Sequence, residues 1–337
     1  MTSGGRSPSG RGLWFVAPHQ VELRPVSVPR LEDEQVLVRT TFSGISAGTE
    51  LLAYRGQLDQ NLPLDETIGA LGGTFRYPFR YGYSCVGVVE ESRSDIARGT
   101  RVFSFQPHQD SFVAGAADVV PVDAVGEREA TLFPLVETAL QIALDAGPVF
   151  DDTVLVYGLG PVGALTSLVL QRAGARVLAV EPRRWRRELV AQFDISTVAP
   201  DEVLSALGVE GRTPLVPLVI DASGNPAVLR SALPLLAHEG TALVASWYGT
   251  KQVTLPLGAE FHRRRLTLRS SQVTTIPARL AARWTPARRR RAVVDLMEVL
   301  PLDMLATHTF AFDDAAEAFA ALDTGREGVV HVALRYN

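Results

Sequence analysis

Residues 153–163 read TVLVYGLGPVG, and this stretch decides the fold of the central part of the chain. Its first half is an apolar run typical of a buried strand, and the segment that follows, 161–174, has the apolar spacing of a helix. The same alternation continues through a strand pattern at 176–181, a helix pattern at 183–194, and strand patterns at 217–224, 241–247 and 265–273. Such alternation predicts a parallel β-sheet with helices on both faces.

Three glycines lie where the first strand of this pattern turns into the first helix. Gly158 would permit a tight turn, Gly160 would let the backbone approach a pyrophosphate, and Gly163 would let helix and strand pack closely. The pyrophosphate would lie at the positive end of the helix dipole, beside Pro161 and Val162. The sequence therefore predicts a dinucleotide site at this turn.

An acidic residue ends the second strand pattern, 23 residues after Gly158. Glu181 can accept hydrogen bonds from an adenosine ribose, and its charge would repel a 2′-phosphate, so it favours NAD over NADP. Arginines follow at once in EPRRWRRE, at 183, 184, 186 and 187. They fit the solvated face of a surface helix, but arginine at this place can also bind a 2′-phosphate. We predict NAD as the cofactor, with Arg183 among the residues beside it.

The first part of the chain has a different pattern. Short β-like runs at 35–42, 87–91 and 119–123 are separated by Gly, Pro and Asp, which predicts an antiparallel, loop-rich domain. The final run VVHVALRY predicts a strand that returns to this domain. We predict domains at 13–147, 148–273 and 274–337, where the last returns to the first, and a disordered tail at 1–12.

Composition limits the possible partners. The 33 Lys and Arg against 37 Asp and Glu give a formal net charge of -4, so there is no overall basic field to attract nucleic acid. No apolar run reaches the length of about 18 residues that a membrane span needs. The single cysteine, Cys85, excludes an intrachain disulfide and fits a reducing compartment. These features predict a cytoplasmic protein with a small-molecule partner.

The whole arrangement resembles the medium-chain dehydrogenase/reductase superfamily. The resemblance is supported by SGISAGTE (43–50), YGYSCVGVV (81–89) and DASG (221–224). It implies an α/β fold with a GroES-like β-rich catalytic domain, a Rossmann domain with a doubly wound parallel sheet, and a substrate cleft between them. It also implies that Ser223 lies near the adenosine ribose, and that the strand at 265–273 pairs across a twofold axis in a homodimer.

The zinc-dependent members of that superfamily place a cysteine in the first stretch and a histidine and glutamate in the second. Here Ser46 or Ala47 occupies the cysteine position, Tyr83 replaces the histidine and Ser84 replaces the glutamate. The four cysteines of the family's structural zinc lobe are absent as well. Neutral hydroxyl oxygens are poor zinc ligands beside thiolate and imidazole. The sequence therefore predicts no zinc.

Without zinc, side chains must take over the proton transfer of a dehydrogenase. Tyr83 is the leading candidate as proton relay, although its ring could merely fill the vacated zinc cavity. Glu50 could orient Tyr83, act as the base, or form an ion pair with Arg80 or another basic residue. Ser46 and Thr49 could hydrogen-bond the substrate or the ribose, or satisfy a local turn.

Several other polar residues are secondary candidates. His262 could reach the cleft near the nicotinamide or be structural, and His108 lies in a loop where it could contact substrate. Glu137 lies where some zinc members place a carboxylate ligand, but an acid near a helix N-terminus needs no metal. The RRRR run at 288–291 predicts a solvated helix face.

These features together predict a zinc-independent, NAD(H)-dependent oxidoreductase that interconverts a secondary alcohol and its ketone. GISAGTE, the Gly-Tyr-Ser stretch and FHRRRLTLRSSQV (261–273) are most similar to the bacteriochlorophyllide dehydrogenase-like branch, which oxidises a secondary alcohol on a tetrapyrrole side chain. A cyclitol, sugar-like or other secondary-metabolite substrate fits equally. The alternatives are an NADPH-dependent enone or quinone reductase, against which Glu181 argues, and a dinucleotide-binding protein without catalysis.

Overall fold

The computed structural model describes residues 9–208 and 215–337. The strands, in chain order, are β1 Ser9–Ala17, β2 Gln20–Ser27, β3 Gln35–Ile45, β4 Cys85–Ser92, β5 Arg101–Ser104, β6 Ser111–Gly115, β7 Val119–Pro121, β8 Thr153–Tyr157, β9 Arg176–Val180, β10 Ser196–Val198, β11 Val216–Asp221, β12 Leu236–Val244, β13 Thr267–Ser270, β14 His308–Ala311 and β15 Val332–Arg335. The helices are α1 Thr49–Tyr54, α2 Glu127–Ala130, α3 Phe133–Ala146, α4 Pro161–Arg172, α5 Arg184–Ala191, α6 Val203–Ala206, α7 Ala227–Ala232, α8 Pro286–Met297, α9 Leu302–Leu305 and α10 Ala315–Asp323.

Packing divides the chain into two units. The first unit comprises Met1–Pro134 and Met297–Asn337, and the second comprises Leu135–Leu296. The domain bounds expected from the sequence remain a prediction. None of the helices in the described parts of the chain is long and apolar enough to cross a membrane.

The first unit contains a seven-stranded sheet in the order β14-β15-β3-β4-β5-β7, with β6 also paired to β3. Strands β3 to β7 pair antiparallel, as the short punctuated runs predicted. The C-terminal strand β15 pairs antiparallel with β3, with Val332 opposite Ile45. The last strand of the chain is therefore part of the sheet of the first unit.

A separate hairpin of β1 and β2 begins the described chain. Phe15 on β1 is fully buried and its ring stacks on Phe79, with centroids 5.2 Å apart. Because Ser9 already belongs to β1, the predicted disordered tail is wrong for residues 9–12. Cross-strand pairing with β2 and burial of Leu13 hold this segment in place. Residues 1–8 of the predicted tail lie outside the described residues.

The second unit contains six parallel strands in the order β10-β9-β8-β11-β12-β13. The central strand β8 buries Val154, Leu155 and Val156 completely, since both its faces are covered, and this explains its continuous apolar run. The strand order reverses between β8 and β11, and ligands of such sheets bind at the carboxyl ends of the strands beside this reversal. The predicted fold class is confirmed: a β-rich unit and a doubly wound, Rossmann-type parallel sheet.

Candidate functional site

The glycine turn after β8 is shaped by close backbone contacts. Gly158 has a φ of +89°, and a Cβ atom there would lie 2.6 Å from Cα of Ser223. A Cβ atom on Gly163 would lie 1.8 Å from the carbonyl oxygen of Gly158. No side chain fits in either place, so both glycines are required for the turn and for helix α4 to pack against it.

Gly160 differs, because space is open beside it. A Cβ atom there would meet Nη1 of Arg186 at 3.9 Å and no other described atom within 4 Å. Gly160 precedes α4, where Pro161 takes the first helical position and no described side chain caps the helix. The N–H groups of Val162 and Gly163 in the first turn have no helical acceptors. This end of α4 can therefore accept a pyrophosphate.

Glu181 is buried beside this turn, and its carboxylate accepts hydrogen bonds from two backbone N–H groups. Oε2 accepts the N–H of Leu159 at 2.8 Å, and Oε1 accepts the N–H of Arg183 at 3.0 Å. The carboxylate thus links the glycine turn to the start of α5. Each oxygen keeps lone pairs that a ribose hydroxyl could use.

The arginines after Glu181 do not share one environment. Arg184 is exposed and pairs with Glu188, as a solvated helix face predicts. Arg187 donates instead to the carbonyl oxygens of Glu181 and Pro182. Arg186 lies 3.9 Å from Glu181 Oε2, and burial lowers its pKa while the Glu181 charge raises it. Its buried Nε has no hydrogen-bond partner among the described residues.

Ser223 lies at the carboxyl end of β11, across from Gly158. Its hydroxyl donates to Oδ1 of Asp221 at 2.5 Å, and Asp221 also accepts the hydroxyl of Tyr248. Burial and the neighbouring Asp221 raise the pKa of Tyr248. Ser223 therefore lines the glycine turn through its backbone, while its hydroxyl is used to hold the loop.

In the first unit, Tyr83 is half-buried, and the side chains of Ser46 and Thr49 beside it act to lower the pKa of its hydroxyl. Burial raises the pKa of Tyr83 to about 12, and the charge of Glu50 contributes in the same direction. Tyr83 is therefore protonated at neutral pH. The structure brings four of the five predicted catalytic residues together: Tyr83, Ser46, Thr49 and Glu50.

Glu50 faces a histidine rather than Arg80. Its Oε2 lies 2.8 Å from Nε2 of His108, and both side chains are fully buried. Nδ1 of His108 lies 2.7 Å from the hydroxyl of Ser43, which in turn lies 2.9 Å from the hydroxyl of Tyr336. Arg80 donates instead to Gln109.

The prediction that His108 contacts substrate is wrong, because its side chain has no exposed surface. Sequence reasoning also missed its pairing with Glu50, which is distant along the chain. The signal that could have revealed the pair is a buried acid that needs a compensating donor.

The hydroxyl of Ser84, which stands at one of the family's zinc positions, and the thiol of the neighbouring Cys85 are also engaged. Ser84 donates to the carbonyl oxygen of Thr131 at 2.7 Å. The buried thiol of Cys85 lies 3.4 Å from the carbonyl oxygen of Pro107, and burial raises its pKa. Ala47 offers no ligand atom. Nowhere in residues 9–208 and 215–337 do three or more His, Cys, Asp or Glu residues form a group that could hold a metal ion.

Two secondary candidates lie in the second unit. His262 is exposed at the end of the helical turn Leu257–Phe261. Glu137 on α3 is buried and its Oε1 lies 3.0 Å from Nε of Arg289 on α8. Burial raises the pKa of Glu137, opposed by the charge of Arg289. The predicted solvated face at 288–291 is therefore wrong for Arg289, since a buried acid on α3 draws its guanidinium into the core.

Comparison with known proteins adds family evidence to this geometry. Residues 161–288 match the family model described as zinc-binding dehydrogenase. The chain is 27% identical over 325 residues to 2-desacetyl-2-hydroxyethyl bacteriochlorophyllide A dehydrogenase of Cereibacter sphaeroides, a match that covers 90% of this chain and 91% of that protein. It is 24% identical over 282 residues to D-guloside 3-dehydrogenase of Escherichia coli K12, covering 75% of this chain and 78% of that protein.

Solved structures show the same fold. An alcohol dehydrogenase of Escherichia coli CFT073 in complex with NADH superposes with a TM-score of 0.77 at 18% identity, covering 97% of this chain and 99% of that one. A zinc-binding dehydrogenase of Sinorhizobium meliloti 1021 bound to NADP gives a TM-score of 0.76 at 17% identity, with coverages of 97% and 99%. Taken with the zinc-binding dehydrogenase model and the two curated relatives, the glycine turn and the sheet order place the chain in the medium-chain dehydrogenase/reductase superfamily of oxidoreductases.

Proposed function

We propose that the chain is a zinc-independent, NAD(H)-dependent oxidoreductase that interconverts a secondary alcohol and its ketone. The observation that carries the proposal is the Tyr83 hydroxyl, which lies beside Ser46 and Thr49 where zinc-dependent members of the family have a zinc-ligand histidine. When bound, the nicotinamide supplies or accepts the hydride. The protein must then supply or remove one proton at the substrate oxygen.

Tyr83 is suited to the proton step. Because its pKa is raised to about 12, it carries its proton at neutral pH and can donate it to the oxygen of a ketone as that oxygen gains negative charge. The hydroxyls of Ser46 and Thr49 can then relay a proton from water to Tyr83, because Thr49 is partly exposed to solvent and each hydroxyl takes up one proton as it gives one away. In the direction of alcohol oxidation the same chain of hydroxyls carries the proton away from the substrate.

The side chains at the zinc positions do not fit the metal. Tyr83 and Ser84 present neutral oxygens, which are poor zinc ligands, and the Ser84 hydroxyl is turned to the Thr131 carbonyl. Both oxygens of Glu50 are occupied, one by His108 and one by the N–H of Ser46. No step of the proposed reaction uses zinc.

Glu181 supports NAD as the cofactor, because its carboxylate lies at the glycine turn and would repel a 2′-phosphate. One observation favours the alternative, NADP: Arg186 lies beside Gly160 with its Nε unpaired among the described atoms. A guanidinium in that position could bind a 2′-phosphate, as an NADPH-dependent enone or quinone reductase would need. Titration of the protein with NADH and NADPH separates the two. Binding of NADPH about tenfold tighter than NADH, a difference of about 1.4 kcal/mol, would overturn the assignment of NAD.

The substrate that we propose is a small secondary alcohol of the cyclitol, sugar-like or secondary-metabolite class. The similarity to D-guloside 3-dehydrogenase supports a sugar-like alcohol, and the similarity to the bacteriochlorophyllide A dehydrogenase supports an alcohol on a larger ring system. A turnover screen with NAD and NADP against a panel of secondary alcohols tests this class. A protein that binds the dinucleotide and turns over no member of the panel would favour the non-catalytic alternative.

The decisive variant is Tyr83→Phe, which keeps the ring and removes the hydroxyl. We expect kcat to fall about 10² to 10⁴-fold with the affinity for NADH unchanged, because the hydroxyl acts in the proton transfer and lies in the other unit from the glycine turn. If the ring only fills space, kcat will stay at the wild-type level.

Zinc independence is tested on the wild-type protein by elemental analysis and by treatment with a chelator. One zinc per chain would contradict zinc independence. Activity that is lost in chelator and restored by zinc would contradict it as well.

We also propose a cytoplasmic homodimer formed through β13. This strand pairs with β12 on one side, and its residues Thr267–Ser270 are all exposed, Leu268 among them. An exposed edge with an apolar side chain is an aggregation hazard unless it is paired. Light scattering should show a dimer at micromolar concentration, and Leu268→Glu should shift it to monomer because like charges would meet at the twofold axis. A monomeric wild type would refute the interface.

A further inference from the structure

His108 and Glu50 form a buried pair that the proposed proton transfer does not use directly. Neither side chain has exposed surface, and Nε2 of His108 lies 2.8 Å from Glu50 Oε2. A carboxylate removed from water is costly unless a donor or cation compensates it. His108 is the side chain that does so, and Glu50 can stay in the core because of it.

Glu50 passes this constraint to the residues around Tyr83. Its second oxygen, Oε1, accepts the N–H of Ser46 at 2.9 Å, and its own N–H donates to the carbonyl oxygen of Ser46 at 3.2 Å. The two bonds close the turn that contains Ser46 and Thr49. These are the residues that lie beside the hydroxyl of Tyr83 and act on its pKa.

A second contact connects His108 to Tyr83 from the other side. Gly82 has a φ of +112°, and a Cβ atom there would lie 2.6 Å from Cδ2 and 2.7 Å from Nε2 of His108. The backbone immediately before Tyr83 therefore lies on the imidazole ring. The ring is itself fixed, because Nδ1 contacts the Ser43 hydroxyl at 2.7 Å and the Ser43 hydroxyl contacts Tyr336.

We propose that His108 is a positioning residue for the Tyr83 hydroxyl, acting through Glu50 and the Ser46–Thr49 turn and through the backbone of Gly82. The inference rests on the proposed function, in which Tyr83 transfers the proton. In this arrangement a buried histidine and carboxylate set the geometry of the proton donor.

The test compares two polar replacements of different length. His108→Asn can keep the bond to Ser43 but is too short to reach Glu50, whereas His108→Gln can reach Glu50. We expect His108→Asn to lower kcat about 10 to 10²-fold at unchanged affinity for NADH, and His108→Gln to recover most of the loss. His331→Asn is the matched control, because His331 is a buried histidine of the same unit that contacts Thr131. Wild-type kcat in a folded His108→Asn protein would overturn the inference.

A double-mutant cycle shows whether the effect passes through Tyr83. In the Tyr83→Phe background, His108→Asn should cause no further loss of kcat, and an equal loss in both backgrounds would overturn the inference. If His108→Asn does not fold, Ser43→Ala replaces it in the same cycle, because this variant removes the hydrogen bond between the Ser43 hydroxyl and Nδ1 of His108. Additive losses, or no loss, would count against the inference in the same way.

A measurement without turnover separates this inference from the proposed function. Tyrosine labelled with ¹³C at Cζ gives a resonance for Tyr83 that is assigned by its absence in Tyr83→Phe. We expect this resonance to move in His108→Asn and to return towards the wild-type position in His108→Gln. A Tyr83→Phe enzyme with normal kcat would remove Tyr83 from the proposed reaction, whereas an unmoved resonance would overturn the role of His108.

Discussion

At the scale of single residues, Glu181 has a structural role beside the role in nucleotide recognition that we propose for it. Its carboxylate accepts the N–H groups of Leu159 and Arg183, so the glycine turn and the start of α5 are held by the same side chain that would face the ribose. A carboxylate fixed by two backbone donors has a defined direction before any ligand arrives. Such preorganisation reduces the ordering that binding would otherwise cost.

Replacement of Glu181 by serine should weaken cofactor discrimination. Glu181→Ser removes the charge that opposes a 2′-phosphate and leaves Arg186 without its nearest acid, so the preference for NADH over NADPH should fall by about 1 to 2 kcal/mol. Fluorescence titration with both nucleotides measures the two dissociation constants. Glu188→Ser is the control, since Glu188 pairs with exposed Arg184 on the same helix. An unchanged ratio in Glu181→Ser would show that the carboxylate does not read the ribose.

At the scale of elements, helices α3 and α8 of the second unit are joined by buried polar side chains. Nε of Arg289 lies 3.0 Å from Glu137, and another guanidinium nitrogen donates to Gln141, one turn further along α3. One arginine of α8 therefore bridges two turns of α3. A buried bridge of this kind fixes how the helices pack, and its removal from one side leaves a charge uncompensated.

Arg289→Met should be strongly destabilising because it leaves Glu137 buried without its cation. We expect a loss of about 3 to 5 kcal/mol in the free energy of unfolding, and recovery of most of it in the double variant Glu137→Leu/Arg289→Met. Urea unfolding of the three proteins measures both values. Arg291→Met is the control, since Arg291 on the same helix is exposed, and a change within about 0.5 kcal/mol is expected. Equal stability of Arg289→Met and Arg291→Met would show that the bridge contributes nothing.

The elements that the sequence predicted are those encoded locally. The apolar run of β8 and the glycines after it lie within a few residues of each other, so their strand, turn and helix follow from spacing. Arg289 shows the limit of such reasoning. Its neighbours in RRRR are solvated or half-buried. Arg289 is drawn into the core by its pairing with Glu137, which lies 152 residues earlier in the chain. A local sequence pattern cannot contain so distant a partner.

At the scale of the whole molecule, the same limit applies to the candidate site. Tyr83, Ser46 and Thr49 could be named because they stand at positions of the family's motifs. The pairing of Glu50 with His108 joins residues 58 positions apart, and the burial of both decides that it forms. Long-range pairs depend on the packing of the folded chain, so residue type alone leaves several partners open, among them Arg80.

Acid should destabilise the protein through a second buried histidine. Burial lowers the pKa of His331 to about 3, with Arg128 acting in the same direction. The Thr131 hydroxyl donates its proton to the carbonyl oxygen of Arg128, so it must accept a hydrogen bond from Nε2 of His331. Nδ1 of His331 is buried, and no acceptor among the described residues is available for a second proton on the ring. In the unfolded chain the same ring takes up a proton near its ordinary pKa of 6.5. The stability that comes from keeping His331 neutral is therefore complete above 6.5 and is lost as the pH falls towards 3.

Urea midpoints measured over a series of pH values test this expectation. Below 6.5 the wild type should lose about 1 kcal/mol per pH unit more than His331→Gln, which has no ring to protonate. The comparison is between slopes, so a constant loss from the missing Thr131 contact does not affect it. Parallel pH profiles of the two proteins would show that His331 does not govern acid stability.

The burial of Cys85 has a practical consequence for experiments in solution. Its thiol lies against the carbonyl oxygens of Gln106 and Pro107, and its raised pKa keeps it protonated, whereas maleimide and disulfide reagents react with exposed thiolates. The native chain should therefore remain unlabelled, and a cysteine introduced at an exposed position becomes the single reactive site without removal of the natural one. A fluorophore attached at position 188, on the helix that follows Glu181, would then report nucleotide binding by a protein whose interior is unaltered.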